Sequence, residues 1–168
     1  TRTADIVAQV LTALGLEVHR GLAGTGVVGV LRKGRGEKAI GLRADMDALP
    51  VLEKNDFAHC SKHHGRMHAC GHDMHTTMLL GAAKLLHERE EELPGVVTLL
   101  FQPGEEILQG AKDCLDAGIL ENPKVDAGAM IHVFPFKDLP LKKVFVAPAG
   151  TFMASADWFE IKIEGVGS

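Results

Sequence analysis

Cys70 and His72 stand one glycine apart, and Asp73 follows directly. A thiolate and an imidazole are both ligands for zinc-type cations, and a glycine between them lets the backbone bend tightly enough for both to face one ion. The pair reads as half of a metal site. An ordinary reading stands beside it: free cysteine is a common small core residue, and Asp73 can cap the helix that follows. The choice between them rests on partners elsewhere in the chain.

Such partners exist at the ends of three strand-like runs: Asp45 and Asp47, then Glu105 and Glu106, then His132. Each alone has a plain explanation. Glu105 and Glu106 can be first-turn acids favoured by a helix dipole, His132 a satisfied core histidine, and Asp47 a turn former ahead of Pro50. In open α/β sheets, however, ligands bind at the carboxyl ends of the strands, so these groups and the Cys70-His72 turn can meet in one crevice. Adjacent glutamates suit a division of labour, one carboxylate holding a cation and the other taking a proton from water. His68 and His75 flank the motif and are expected to reach substrate. His19, His59, His63, His64 and His87 are read as solvated.

Positioning these groups requires a parallel sheet. Ile6, Val7, Val10, Leu11 and Leu14 recur at helical spacing with Gly15 as C-cap, which predicts an opening amphipathic helix. Val27 to Arg32 and Lys38 to Arg43 read as two strands around Lys33-Gly34-Arg35-Gly36, an expected hairpin. The polar stretch from Glu53 to His68 reads as a long functional loop. Met74, Met78, Ala82, Leu85 and Leu86 mark a helix that ends by the turn at Leu93-Pro94-Gly95. Val96 to Phe101 is solidly apolar, the pattern of a strand buried on both faces. Ala111 to Ala117 reads as a short helix stopping near Gly118, and Ala127 to Val133 as another apolar strand with His132 at its end. Ala147 to Gly150 reads as a hinge, and Phe159 to Glu164 alternates like a half-buried strand. These features place a domain over residues 1–157 and the start of a second over 158–168.

With 46% hydrophobic and 24% charged residues among 168, the chain has the composition of a globular protein. A net charge of -4 gives no basic footprint, which argues against nucleic acid or an anionic membrane surface as partner. Three cysteines at spacings without a disulfide framework fit a reducing, cytoplasmic setting. No apolar run reaches membrane-spanning length.

Three blocks carry a resemblance: Leu42-Arg43-Ala44-Asp45-Met46-Asp47-Ala48-Leu49-Pro50, Met67-His68-Ala69-Cys70-Gly71-His72-Asp73-Met74-His75, and Phe101-Gln102-Pro103-Gly104-Glu105-Glu106. In order and spacing they resemble the peptidase family M20 amidohydrolases. The likeness is greatest to the branch of hippurate hydrolases, N-acyl-amino-acid amidohydrolases and indole-acetyl-amino-acid hydrolases. The resemblance implies an α/β catalytic domain with a mixed, largely parallel sheet between helices, and a smaller lid domain that often dimerises. It implies two divalent metal ions, zinc, manganese, cobalt or nickel, with Cys70, His72, Glu106 and His132 as ligands. Glu105 is then the general base, Asp47 orients a ligand, and the substrates are small N-acyl or N-aroyl amino acids. The full-length protein is expected to be a homodimer or higher oligomer.

The family also supplies a further histidine ligand and a lid histidine that this chain does not contain, so the expectation is an N-terminal part of a longer enzyme. Two rival readings remain. In one, the histidine-rich loop from His59 to His75 holds a structural zinc; its spacing from Cys60 to Cys70, His72 and His75 matches no common finger. In the other, the family fold persists as a metal-binding or regulatory module without turnover.

Overall fold

The computed structural model describes residues 1–135, 137, 140–157 and 159–167. Its elements run α1 (Arg2–Ala13), β1 (Glu17–Leu22), β2 (Gly26–Arg32), β3 (Ala39–Asp45), α2 (His72–Glu88), a 3-10 turn over Glu90–Glu92, β4 (Val96–Gln102), α3 (Gly110–Asp116) and β5 (Ala127–Met130). The strands form one sheet in the order β1-β2-β4-β3-β5. β3 is parallel to both β4 and β5, β2 is antiparallel to β4, and β1 is antiparallel to β2. Four strands therefore point one way and β2 alone opposes them, the mixed and largely parallel α/β sheet expected from the sequence.

Side-chain alternation splits the interior into two layers. Val97, Leu99 and Phe101 of β4 join Val27 and Leu31 of β2 in a core closed by Val7 and Leu11 of α1 and by Leu79 and Ala83 of α2. From the opposite face Val96 and Leu100 join Val28 and Val30 against Cys114 and Ile119, the α3 side. β4 is buried along its whole length because helices cover both faces of the sheet at its centre.

Three expectations are corrected. Lys33 to Gly36 is not a hairpin, since β4 lies between β2 and β3 and pairs with each. The connection instead wraps the turn before β4 so closely that a Cβ on Gly36 would lie 1.9 Å from the Pro94 carbonyl oxygen. Those glycines serve a close backbone approach rather than a two-residue turn. In α2 the buried face is His72, His75, Thr76, Leu79 and Ala83, whereas Met74, Met78 and Leu85 are exposed. Polar residues occupy the inward stripe there, so apolar periodicity points to the wrong side. In α1, similarly, Ala4, Val7, Ala8 and Leu11 are buried while Ile6 and Val10 are exposed. β1 was not anticipated, because Glu17 to Leu22 is polar and only partly buried and draws its strand conformation from pairing with β2.

The chain divides into two units, Thr1–Phe134 and Pro135–Ser168. The described residues of the second contain no helix or strand. Phe159 to Glu164, expected to be a strand, has Phe159, Ile161 and Ile163 exposed and is paired with nothing described. Alternation confers strand potential, and a strand still needs a neighbour. The expected domain limits at Trp158 and Ser168 fall on residues outside the described set. Among the described residues no helix is long and apolar enough to cross a membrane.

Because Phe101 is fully buried at the centre of the larger core, Phe101→Ala is expected to destabilise the protein by about 3–5 kcal/mol. Chemical denaturation followed by circular dichroism reads this as a lower midpoint at an unchanged slope.

Candidate active site

The parallel strands β3, β4 and β5 end at one edge of the sheet, and α2 starts beside them. Asp45 closes β3 and Asp47 lies two residues on; Glu105 and Glu106 follow β4; His132 lies two residues past the last residue of β5. The expected strand thus stops short of His132. Gly71 is the N-cap of α2, in the left-handed region at φ 86, where a side chain is disfavoured. A Cβ there would also lie 2.3 Å from Val133 Cγ2. The bend that turns Cys70 and His72 to the same side and the approach of the His132 segment therefore need the same glycine. Asp73 is inside the first turn of α2 and is not its cap.

His72 is the centre of the cluster and is 1% exposed. Its Nδ1 is 3.0 Å from the Asp47 carbonyl oxygen. A carbonyl only accepts, so Nδ1 carries the proton and Nε2 presents a lone pair. That Nε2 is buried without a hydrogen-bond partner. Around it lie Asp45 Oδ2 at 3.6 Å, Glu105 Oε2 at 3.7 Å and Glu106 Oε1 at 3.7 Å. A lone pair surrounded by carboxylate oxygens is an arrangement that a cation relieves. Glu106 Oε1 is likewise buried and unpartnered.

Three groups of potential ligands share His72, one of them with Asp45 and His75. Cys70, His72 and His132 have ligand atoms within 4.8 Å of one another, and so do His72, Glu105 and Glu106. Cys70 Sγ lies 3.5 Å from His132 Nε2. Asp47 touches both His72 and the glutamate pair, since its Oδ2 accepts the Glu106 backbone N–H at 3.0 Å. The Glu105 side chain is 37% exposed and that of Glu106 20%, so Glu105 is the more open to an incoming molecule. Cys60, His59, His63, His64 and His68 belong to no such group among the described residues, which removes the support for a zinc held by the loop.

His75 does not reach outward as expected. It is 3% exposed, its Nδ1 lies 2.6 Å from Asp45 Oδ1, and its Nε2 accepts the Val133 N–H at 3.0 Å. Asp45, read from the sequence only as a strand-end carboxylate, is buried at the heart of the cluster with Arg43 Nη1 2.9 Å from its Oδ2. Burial alone would raise the Asp45 pKa, but the His75 hydrogen bond and the charges of Arg43 and the histidines hold it below the ordinary value. The signal for this pairing was the polar stripe His72, His75, Thr76 at one-turn spacing on α2, aimed at the end of β3.

The chain matches the model of peptidase family M20/M25/M40 over residues 41–157. It is 46% identical over 167 residues to the hippurate hydrolase of Campylobacter jejuni, covering 98% of this chain and 42% of that protein. It is also 46% identical over 166 residues to IAA-amino acid hydrolase ILR1-like 2 of Arabidopsis thaliana, covering 98% and 36%. Among solved structures, the Bacillus subtilis YXEP protein, described as a dinuclear metal binding peptidase from the M20 family, superposes with a TM-score of 0.77. It is 39% identical, covering 83% of this chain and 38% of that one. The chain therefore spans about two fifths of the length of these relatives.

Burial, and then the neighbouring Glu106, Glu105 and Asp45 carboxylates, push the Cys70 thiol up from 9.0 to about 11. Below that pH the thiol is protonated, whereas the ligand form is the thiolate. A cation bound through Cys70 therefore displaces a proton, and affinity is expected to rise with pH by about tenfold per unit from this group alone. Calorimetric Zn2+ titrations in two buffers of different ionisation heat should show a proton release that falls by about one in Cys70→Ser.

Proposed function

The chain belongs to peptidase family M20/M25/M40, and from that premise we propose that it forms the metal-holding part of an amidohydrolase acting on small N-acyl or N-aroyl amino acids. The observation that carries the reading is the buried His72 Nε2, its lone pair exposed by the Nδ1 bond to Asp47 and faced by three carboxylates.

In this reading Cys70, His72, Glu106 and His132 are ligands for two divalent cations, with zinc, manganese, cobalt and nickel all compatible with the donor types. Bound divalent cations polarise an amide carbonyl and acidify water. Glu105 takes a proton from the attacking water as the new C–O bond forms. As the C–N bond breaks, Glu105 returns that proton to the departing nitrogen, and the second proton of the water passes from the new carboxylic acid to the amine, leaving a carboxylate and an ammonium ion. Its greater exposure supports this division, because a ligand is better served by the more enclosed Glu106 and a proton carrier must meet substrate. Asp47 keeps His72 in the ligand tautomer through its carbonyl and holds the backbone of Glu106 through its carboxylate.

Hippurate hydrolase and IAA-amino acid hydrolase as names of relatives support a substrate with an acyl or aroyl group on an amino acid. In the same reading residues 1–157 belong to the catalytic domain, 158–168 open a lid, and the full-length protein acts as a homo-oligomer in the cytoplasm.

In the full-length protein, Glu105→Gln should lower kcat on hippurate by at least about 100-fold, the scale of a lost acid–base group, with metal content near wild type by elemental analysis. Glu106→Ala should lose both metal and turnover. Wild-type turnover in Glu105→Gln would remove that residue from its role, and full metal retention in Glu106→Ala would remove Glu106 from the ligand set.

A further inference from the structure

Resting on the metal reading above, we propose that His75 is a positioning residue that fixes His132 in the site by clamping the backbone of Val133 to the buried carboxylate of Asp45.

His132 is the site residue with the least support from its own element. It lies beyond Met130, the last residue of β5, and the residues Ala127 to Met130 and Ile131 are exposed. β5 pairs with β3 through only four residues, ending at Arg43↔Met130. Within the described residues, packing of the strand alone therefore does little to set the direction of the chain at 132. Val133 is enclosed from two sides: Gly71 leaves room for its Cγ2, and its N–H donates to His75 Nε2 at 3.0 Å. The His75 and His132 rings also meet, their centroids 4.5 Å apart and edge on.

The hydrogen-bond donors determine the state of His75. A backbone N–H can only donate, so Nε2 accepts and the proton is on Nδ1, which donates to Asp45 Oδ1 at 2.6 Å. Asp45 is itself anchored by Arg43, whose Nε donates to Gln102 Oε1 at 3.0 Å. A continuous line thus runs from the end of β4 through β3 and α2 to the residue beside His132. Asp45, His72 and His75 also lie close enough together to be a ligand group. Ligation by His75 would break one of its two hydrogen bonds, so the geometry assigns it to holding rather than binding. Because His75 is one turn from His72, the first turns of α2 present one candidate ligand and hold the chain that presents another.

The test is Co2+ binding by the full-length protein, wild type against His75→Leu, His75→Gln and His132→Ala. The readouts are competition affinity, the visible d–d spectrum and the thiolate-to-cobalt charge-transfer band of Cys70. His75→Leu fills the space with neither hydrogen bond. It should weaken Co2+ binding about 10–100-fold and shift the d–d spectrum as His132→Ala does, with the charge-transfer band retained. His75→Gln carries one donor for Asp45 and one acceptor for Val133, and should restore most of the affinity and the wild-type spectrum.

A folded His75→Leu with wild-type affinity and spectrum overturns the proposal, and so does a folded His75→Gln that loses as much as His75→Leu. If His75→Leu fails to fold by near-ultraviolet circular dichroism, His75→Gln decides: near-wild-type binding upholds the clamp and lost binding overturns it. Failure of both to fold also overturns it, since His75 would then serve the whole fold rather than His132. A wild type that takes up no Co2+ sinks the metal site beneath the proposal, whereas wild-type uptake with an indifferent His75→Leu sinks the clamp alone.

Discussion

The structure depends on one unfavourable arrangement, a buried imidazole lone pair surrounded by acid. The Nδ1 proton of His72 is committed to the Asp47 carbonyl, so Nε2 has nothing to donate to the three carboxylates beside it. The ligand atoms of Glu105 and Glu106 lie within 4.8 Å of each other. Two carboxylates at that range repel by roughly 3–4 kcal/mol at an effective dielectric of about 20. Arg43, whose Nη1 lies 2.9 Å from the same Asp45 oxygen that faces His72, supplies positive charge at Asp45. Such a concentration of like charge around an unpaired nitrogen is tolerated where a cation completes it, which is why the cluster is legible as a binding centre rather than as a solvated acidic patch.

Hydrogen bonds around this centre hold those groups in place against their mutual repulsion. β4, buried on both faces, is the rigid member, and the loop bearing Glu105 and Glu106 leaves from its end. That loop is closed by the Gly110 N–H on the Gly104 carbonyl at 2.9 Å and tied to β3 by the Asp47 carboxylate. α2 is pinned at its start, where Thr76 donates to the Asp45 carbonyl and His75 to its side chain. The polar stripe of α2 is thus bonded to the end of β3, and its apolar residues below, Leu79 and Ala83, enter the core. One helix face performs both tasks, with the site at its first two turns and the core beyond them.

Much of this was legible in the residues. β4 was recognisable as a solid apolar run, and Cys70-Gly71-His72 as a bend with two ligand types. Glu105-Glu106 could be read as a pair with two roles because they sit where that run stops. The inner faces of α1 and α2 were legible only in part: of the residues at helical spacing, Val7 and Leu11 are fully buried and Leu14 and Leu86 pack against the core. In α2 the inward positions are His72, His75 and Thr76, which no hydrophobic pattern marks, and in α1 alanines pack inward while Ile6 and Val10 stay exposed. The pairing of β2 with β4 was hidden for another reason: Gly34 and Gly36 have the composition of a turn, and their use in wrapping the turn before β4 emerges only when both segments are in place.

The sequence by itself determined the candidate donor groups and the strands that lead to them, because donor types, their order and the apolar runs before them are properties of local residues. Tertiary structure decided the rest. Whether His75 faces substrate or is sealed between Asp45 and Val133 depends on which strand ends lie beside the start of α2, a contact between residues 30 and 58 positions apart. The tautomer of His72 likewise follows from a carbonyl 25 residues away. Hydrogen-bond direction is set by whatever partner the fold brings within about 3 Å, and no spacing along the chain encodes that.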